Sequence, residues 1–205
     1  MILENKKQIK KFIKRYKSED SILIPIPCDN NKHSANTKLS LLYVQLLSGK
    51  EFILPYNHTE TLNVDIPSLE SSTKKYTYDR KELNNFIKLD NVIDVNLMYY
   101  MVTNKPLYIE DIDTNAHNFF NMRYYKKENI NTIIPVLKHI EKCRKISKLL
   151  KDTITKHNST VNMSYNDEVL DNLSYIEQNG IHSTEGEVHS EYNIYTSTGR
   201  PSNRF

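Results

Sequence analysis

The side chains best suited to chemistry in this sequence are two clusters of cations. The first cluster lies near the N-terminus and consists of Lys6, Lys7, Lys10, Lys11, Lys14, Arg15 and Lys17. The second consists of Lys138, Lys142, Arg144, Lys145, Lys148 and Lys151. Clustered cations are typical of a surface that binds phosphate groups. They are also typical of a solvated helix face, and the net charge of the chain is only +3. The clusters alone therefore leave both interpretations open.

Other catalytic and ligand-binding patterns are missing from the sequence. The seven histidines show no His-x-x-x-His spacing, and Cys28 and Cys143 form no CxxC pair, which argues against a zinc site and a disulfide scaffold. No nucleophilic triad and no phosphate-binding glycine motif can be read. The sequence also has no apolar run of about 20 residues and no signal peptide. We therefore expect a chain of the cytoplasm that has no membrane partner.

The C-terminal segment 192–205, YNIYTSTGRPSNRF, combines residue types that suit a nucleic-acid backbone. Gly199 would allow the backbone to approach a duplex closely. Arg200 carries a rigid fork of donors suited to phosphate or to minor-groove acceptors. Hydroxyl and amide side chains nearby suit contacts to sugar and phosphate, namely Thr196, Thr198, Ser202 and Asn203. The alternative is a polar tail that contains Gly-Arg-Pro by chance.

The part of this segment from Thr196 to Ser202, TSTGRPS, resembles the T-x-T-G-R-x-S signature of family A DNA polymerases, in the Pro-Ser-Asn form of phage members. The resemblance implies that these residues bind primer–template DNA at the entry to the palm domain, and Lys145 and Lys148 join the predicted contacts. It implies Mg²⁺ in the complete polymerase, held by palm aspartates that follow the signature. Because the sequence stops at Phe205, we expect the chain to hold no metal and to be inactive alone. It would be either a truncated piece or a subunit whose partner is a separate palm polypeptide.

The same family places an RNase H-like 3′–5′ exonuclease domain before the thumb, and residues 20–140 resemble that domain in their order of strands and helices. Such nucleases use two metal ions held by carboxylates. The family's first motif falls on Asp29, but Asn31 stands where the motif has glutamate. The second motif falls on Asp79, with Lys75 where the motif has asparagine.

The third exonuclease motif has only an approximate match, at Tyr124 and Glu128. An amide is a weaker ligand for divalent cations than a carboxylate, and we expect Lys75 to add opposing charge. We therefore predict a domain without nuclease activity. Two alternatives remain: a live, metal-dependent exonuclease and a non-catalytic scaffold subunit of replication. The live nuclease would use Asp29, Asp79, Asp94 and Glu128.

Hydrophobic periodicity predicts the elements that must position these residues. Helices are predicted at 2–17, 79–87, 129–154 and 164–179, with Asp79 and Ser164 as N-caps and Gly180 as a stop. Strands are predicted at 21–28, 38–47, 51–55 and 75–78, with a turn at 48–50. Pro25 and Pro27 favour an edge position or an irregular one for the first strand. Segment 92–101 fits strand or helix, and the last fifteen residues are predicted to be irregular.

These elements predict an α/β region that contains a hairpin, followed by helices. The resemblance to family A polymerases implies that the α/β fold is an RNase H-like mixed sheet with helices, followed by a helical thumb-like segment. The predicted domains are 1–140, exonuclease-like, and 141–205, thumb and start of the palm.

Overall fold

The computed structural model describes residues 1–3, 5–27, 38–56, 68–107, 130–157, 164–184, 186–188, 191–196 and 201–204. Within these ranges the helices are α1 Lys6–Tyr16, α2 Arg80–Asn84, α3 Val95–Thr103, α4 Ile130–His157 and α5 Ser164–Asn179. The strands are β1 Ser21–Pro27, β2 Leu39–Leu46, β3 Glu51–Pro55, β4 Lys75–Thr77, β5 Val92–Asp94, β6 Ile181–Ser183, β7 Gly186–Val188, β8 Glu191–Asn193 and β9 Ser202–Arg204. The predicted domain boundary at residue 140 falls inside α4 and stays a prediction.

The central sheet has five strands in the order β3-β2-β1-β4-β5. Strands β1, β2 and β3 are antiparallel neighbours, whereas β4 and β5 continue the sheet in parallel with β1. Three antiparallel strands followed by two parallel strands, with helices on both faces, form the RNase H-like arrangement. The predicted fold class, a mixed α/β sheet of this type, is therefore confirmed.

Alternating side chains of the sheet build a hydrophobic core on each face. On one face Ile22, Ile24 and Tyr43 pack with residues of α3 and α4. On the other face Leu23 and Phe52 pack with residues of α1 and α2. The period-2 pattern of the strands thus separates α1 from α4 by the thickness of the sheet.

Side-chain caps and positive φ angles set several element boundaries. Asn5 caps α1 by accepting a hydrogen bond from the Gln8 N–H at 3.0 Å. Gly180, with φ +69°, ends α5 and donates to the Ile176 carbonyl at 2.9 Å. Gly49, with φ +98°, makes the turn between β2 and β3. The predicted stop at Gly180 and the predicted hairpin turn are confirmed.

Of the two alternatives that Pro25 and Pro27 predict for β1, the edge position is wrong, because β1 is the middle strand. The irregular position is confirmed, because the register of β1 against β2 shifts between Ile26 and Pro27. The Ser21 N–H points toward β4, since it donates to the Lys74 carbonyl at 3.2 Å. With a period of two, the nitrogens of both prolines point to the same side. The ladder with β4 ends at Leu23. The prolines therefore lie where the central strand has no acceptor to reach.

Two further differences from the sequence-based expectation concern residues 92–101 and the C-terminal tail. Segment 92–101 contains both alternatives, a strand (β5) that leads directly into a helix (α3). The last fifteen residues are not irregular throughout, because β8 pairs with β9 in antiparallel fashion. Just before them, β6 pairs with β7, also antiparallel. None of the described helices is long and apolar enough to cross a membrane.

Candidate functional site

Two carboxylates meet where β4 and β5 end, and both cap helices. Asp79 follows β4 and accepts a hydrogen bond from the Glu82 N–H at 3.1 Å, which confirms it as the N-cap of α2. Asp94 ends β5 and caps α3 through the Leu97 N–H at 2.8 Å. Its second oxygen accepts from the Arg80 N–H at 2.8 Å. Asp94 is fully buried. Both of its oxygens accept hydrogen bonds from backbone N–H groups.

The electrostatics of this pair follow from burial. The pKa of the Asp94 carboxyl is raised to about 8, first by burial and second by the nearby Asp79 carboxylate. Backbone N–H groups of Arg80, Leu97 and Asn96 act in the opposite direction. A carboxyl that is desolvated, shares its surroundings with a second carboxylate and accepts backbone hydrogen bonds is suited to holding a fold together.

The strand that neighbours β4 in parallel, β1, carries no carboxylate. Ser21 pairs with Lys75 and Leu23 with Thr77, where the ladder ends. The whole of β1 reads SILIPIP, and the side chains of Ile24 and Ile26 are buried in the hydrophobic core. This strand therefore supplies no carboxylate ligand beside Asp79.

Of the four carboxylates of the alternative live nuclease, the structure describes two, Asp79 and Asp94. Asp29 and Glu128 lie outside the described residues. Among the described residues, no three His, Cys, Asp or Glu side chains lie together in a group that could hold a metal ion. The expectation that this chain holds no metal therefore stays a prediction.

The expectation that Lys75 adds positive charge beside these carboxylates is wrong. Its Nζ donates to the carbonyls of Tyr16 at 2.7 Å and Glu19 at 3.0 Å, and to Thr73 Oγ1 at 2.6 Å. The ammonium also lies 3.8 Å from the centroid of the Tyr16 ring. Burial lowers the pKa of Lys75 to about 8. The side chain thus binds the end of α1, on the opposite side of the sheet from the α3 and α4 core.

Strands β8 and β9 flank the polymerase-like signature, and β9 begins at its last residue, Ser202. Tyr192 pairs with Asn203 and Asn193 with Ser202. Ser202 is exposed on β9, and the backbone carbonyl of Thr196 accepts from Tyr100 Oη at 2.8 Å. The remaining predicted contacts, Thr198, Gly199 and Arg200, lie outside the described residues.

A buried ion pair that sequence reasoning missed joins this hairpin to the helices. Lys81 Nζ of α2 lies 2.5 Å from Glu177 Oε1 of α5, and both side chains are less than a tenth exposed. Lys81 Nζ also donates to the Tyr192 carbonyl at 2.5 Å, and Glu177 Oε1 accepts from the Tyr192 N–H at 2.7 Å. A basic residue in α2 was visible in the sequence, but its acidic partner is 96 residues away.

The lysines of α4 face outward from the sheet. Lys145 and Lys148 are exposed, while Ile146 and Leu150 of the same helix are buried in the core. Their neighbour Arg144 is paired with Glu51 of β3, with Nε 2.8 Å from Oε2. The two predicted DNA contacts therefore share an accessible helix face, one turn apart.

Several solved structures are similar to this chain in fold. The polymerase domain of Pol1 from M. smegmatis, in complex with DNA primer–template and dNTP, matches with a TM-score of 0.52 and 14% identity. That match covers 88% of this chain and 32% of the polymerase structure. The EXO domain of Aedes aegypti Nibbler matches with a TM-score of 0.46 and 8% identity, over 83% of this chain and 94% of that domain. The catalytic core of RRP6 from Trypanosoma brucei matches with a TM-score of 0.38 and 10% identity, over 74% of this chain and 50% of that core.

These likenesses concern the fold. No family model and no curated protein matches the sequence. At 14% identity the polymerase match shows a shared fold, and the chain spans only about a third of that structure. The sheet order is that of an RNase H-like mixed α/β fold.

Proposed function

We propose that this chain is the DNA-holding N-terminal portion of a family A DNA polymerase of the phage type, with an exonuclease-like domain that does not cleave DNA. The signature TSTGRPS supports the family, and the shared fold with a polymerase domain over most of the chain supports the placement. The palm aspartates and their Mg²⁺ would belong to residues beyond this sequence or to a separate polypeptide. We further propose primer–template DNA as the partner.

The observation that supports the proposed loss of nuclease activity is that β1, the parallel neighbour of β4, reads SILIPIP and carries no carboxylate. Two-metal hydrolysis needs carboxylates on both sides of the metal pair. The second nearby carboxylate, Asp94, is occupied by the N–H groups of Arg80 and Leu97. Asp79 alone is a poor site for two divalent cations.

Binding is tested by fluorescence anisotropy of a labelled primer–template, from about 50 mM to about 200 mM salt. We expect the affinity to fall steeply with salt. The double variant Lys145→Gln/Lys148→Gln should lower the slope of log Kd against log salt by about two, because two phosphate contacts are lost. The matched control is Lys10→Gln/Lys14→Gln, which removes the same charge from α1 on the opposite sheet face. An equal effect of both variants would mean that binding follows net charge and not the α4 surface.

Nuclease activity is tested by incubating the chain with single-stranded DNA and Mg²⁺ or Mn²⁺. We expect no degradation. Metal-dependent degradation that Asp29→Ala and Asp79→Asn both abolish would establish the live exonuclease instead. A chain that binds no primer–template even at low salt would refute the proposed function.

A further inference from the structure

The segment that leads into the polymerase-like signature is attached to the exonuclease-like part at two points. The first is Tyr192 in β8, whose backbone N–H and carbonyl both bind side chains of the helices. The second is Thr196, whose carbonyl accepts from Tyr100 of α3. Between them lie Ile194 and Tyr195, both packed against the core that α3 and α4 share with the sheet.

At the first point, side chains take the place of a neighbouring strand. Alternate residues of a strand direct their N–H and carbonyl groups to opposite sides. Tyr192 directs its backbone pair toward α2 and α5, away from its ladder partner Asn203. Lys81 supplies the donor and Glu177 the acceptor, at 2.5 Å and 2.7 Å. The edge of β8 is thereby paired without a third strand.

The chemical type of this contact is informative. A buried Lys–Glu pair adds little net stability compared with apolar side chains of similar size. Two apolar side chains could not bind both backbone groups of Tyr192. The pair therefore does something that packing alone does not: it fixes the position of one peptide unit of β8.

At the second point, Tyr100 makes two contacts with the segment. Its hydroxyl donates to the Thr196 carbonyl at 2.8 Å. Its ring stands edge-on to the ring of Tyr195, with centroids 5.7 Å apart. Thr196 is four residues before Arg200, so this contact defines where the chain enters the signature.

The geometry points to a second role for the exonuclease-like domain: Lys81, Glu177 and Tyr100 are positioning residues that hold segment 192–196, the segment that leads into the proposed primer–template contacts. This role rests on the proposed function, since it requires the signature to contact DNA. In this role, a domain that does not cleave DNA holds in place the segment that leads into the polymerase palm.

The test is a double-mutant cycle between Tyr100 and Arg200, with primer–template affinity and its salt dependence as readouts. Tyr100→Phe removes the bond to Thr196 and keeps the ring against Tyr195. We expect it to weaken binding by roughly three- to tenfold, as for one lost hydrogen bond. Arg200→Ala should weaken binding and lower the salt slope by about one. In the Arg200→Ala background, Tyr100→Phe should have no further effect, because both act through the same contact.

The matched control is Tyr99→Phe, on the same helix, whose ring contacts His157 and not the signature segment. It should leave affinity unchanged. A second variant, Lys81→Met/Glu177→Leu, keeps the site apolar and filled while removing both bonds to Tyr192. Because the half-buried Tyr192 backbone loses two partners, we expect a moderate fall in melting temperature, at least tenfold weaker binding, and faster hydrogen exchange of the amides at 191–204.

The outcomes separate this inference from the proposed function. If the wild type binds primer–template but Tyr100→Phe binds as tightly, or loses the same factor with and without Arg200, the positioning role is wrong. Unchanged exchange in the Lys81→Met/Glu177→Leu variant would overturn it as well. If the wild type itself does not bind, the proposed function fails, and the positioning role fails with it.

Discussion

Replacing Asp94 by alanine should destabilise the chain far more than replacing Asp79. The two carboxylates lie near each other and both cap helices, but their surroundings differ. Asp94 is 0% exposed and accepts from the N–H groups of Leu97 and Arg80, both at 2.8 Å. Asp79 is half-buried and accepts from the Glu82 N–H at 3.1 Å.

The magnitude follows from the donors that each substitution leaves without an acceptor. A buried N–H that loses its partner costs about 1–3 kcal/mol. Asp94→Ala leaves two such groups and a small cavity, so we expect a loss of about 3–4 kcal/mol in the free energy of unfolding. Asp79→Ala removes one partly solvated cap, which is worth about 1 kcal/mol. It also removes the charge that opposes ionisation of Asp94, which reduces the cost further.

Urea denaturation of both variants, followed by circular dichroism, gives the two free energies. The midpoint should move while the slope m stays constant, since the folded state buries the same surface. Asp94→Asn is the matched intermediate: it keeps the shape and one acceptor, so its loss should lie between the other two. If Asp94→Ala and Asp79→Ala differ by less than about 0.5 kcal/mol, the assignment of Asp94 as a buried structural cap is refuted.

The remaining predictions concern the buried side chains of Asp94 and Lys75. Because the pKa of Asp94 is raised to about 8, the folded chain binds a proton more tightly than the unfolded chain. The free energy of unfolding should therefore fall as pH rises from about 5 to about 8. Urea titrations should show a smaller pH slope for Asp94→Asn than for the wild type, and equal slopes would contradict the assignment. Lys75→Met should lower the free energy of unfolding by about 2 kcal/mol, because the Tyr16 and Glu19 carbonyls lose a charged donor. Lys74→Met, at an exposed neighbouring position, is its control in thermal melts, and equal melting temperatures would contradict that role.

Local chemistry explains why much of the fold was predictable. The amphipathic period of α1, the glycine turn at Gly49 and the cap at Asp79 each depend on residues a few positions apart. Their predicted elements agree with the structure to within a few residues at each end. Segment 92–101 stayed ambiguous because a strand and a helix follow each other there without a break, joined at Asp94.

The features that sequence reasoning missed depend on distant partners. Proline is expected at sheet edges because it cannot donate a hydrogen bond to a neighbouring strand. Pro25 nevertheless lies in the middle strand. The ladder with β4 stops at Leu23, so Pro25 has no ladder hydrogen bond to lose on that side. Lys75 substitutes for a motif asparagine in sequence, yet its charge is bound by carbonyls 56 and 59 residues away. The Lys81–Glu177 contact spans 96 residues. Only the assembled sheet brings these groups together.

The arrangement around Tyr195 connects the proposed loss of nuclease activity with the proposed attachment of segment 192–196. Hydrolysis with two metal ions needs space beside its carboxylates for the metals and a phosphate. Burial raises the pKa of the Tyr195 phenol, and the Asp94 and Asp79 carboxylates raise it further, so the phenol lies near both. The Tyr195 ring also stands edge-on to the ring of Tyr100, whose hydroxyl binds the Thr196 carbonyl. In the proposed function, one side chain therefore takes up room near these carboxylates and joins the segment to α3.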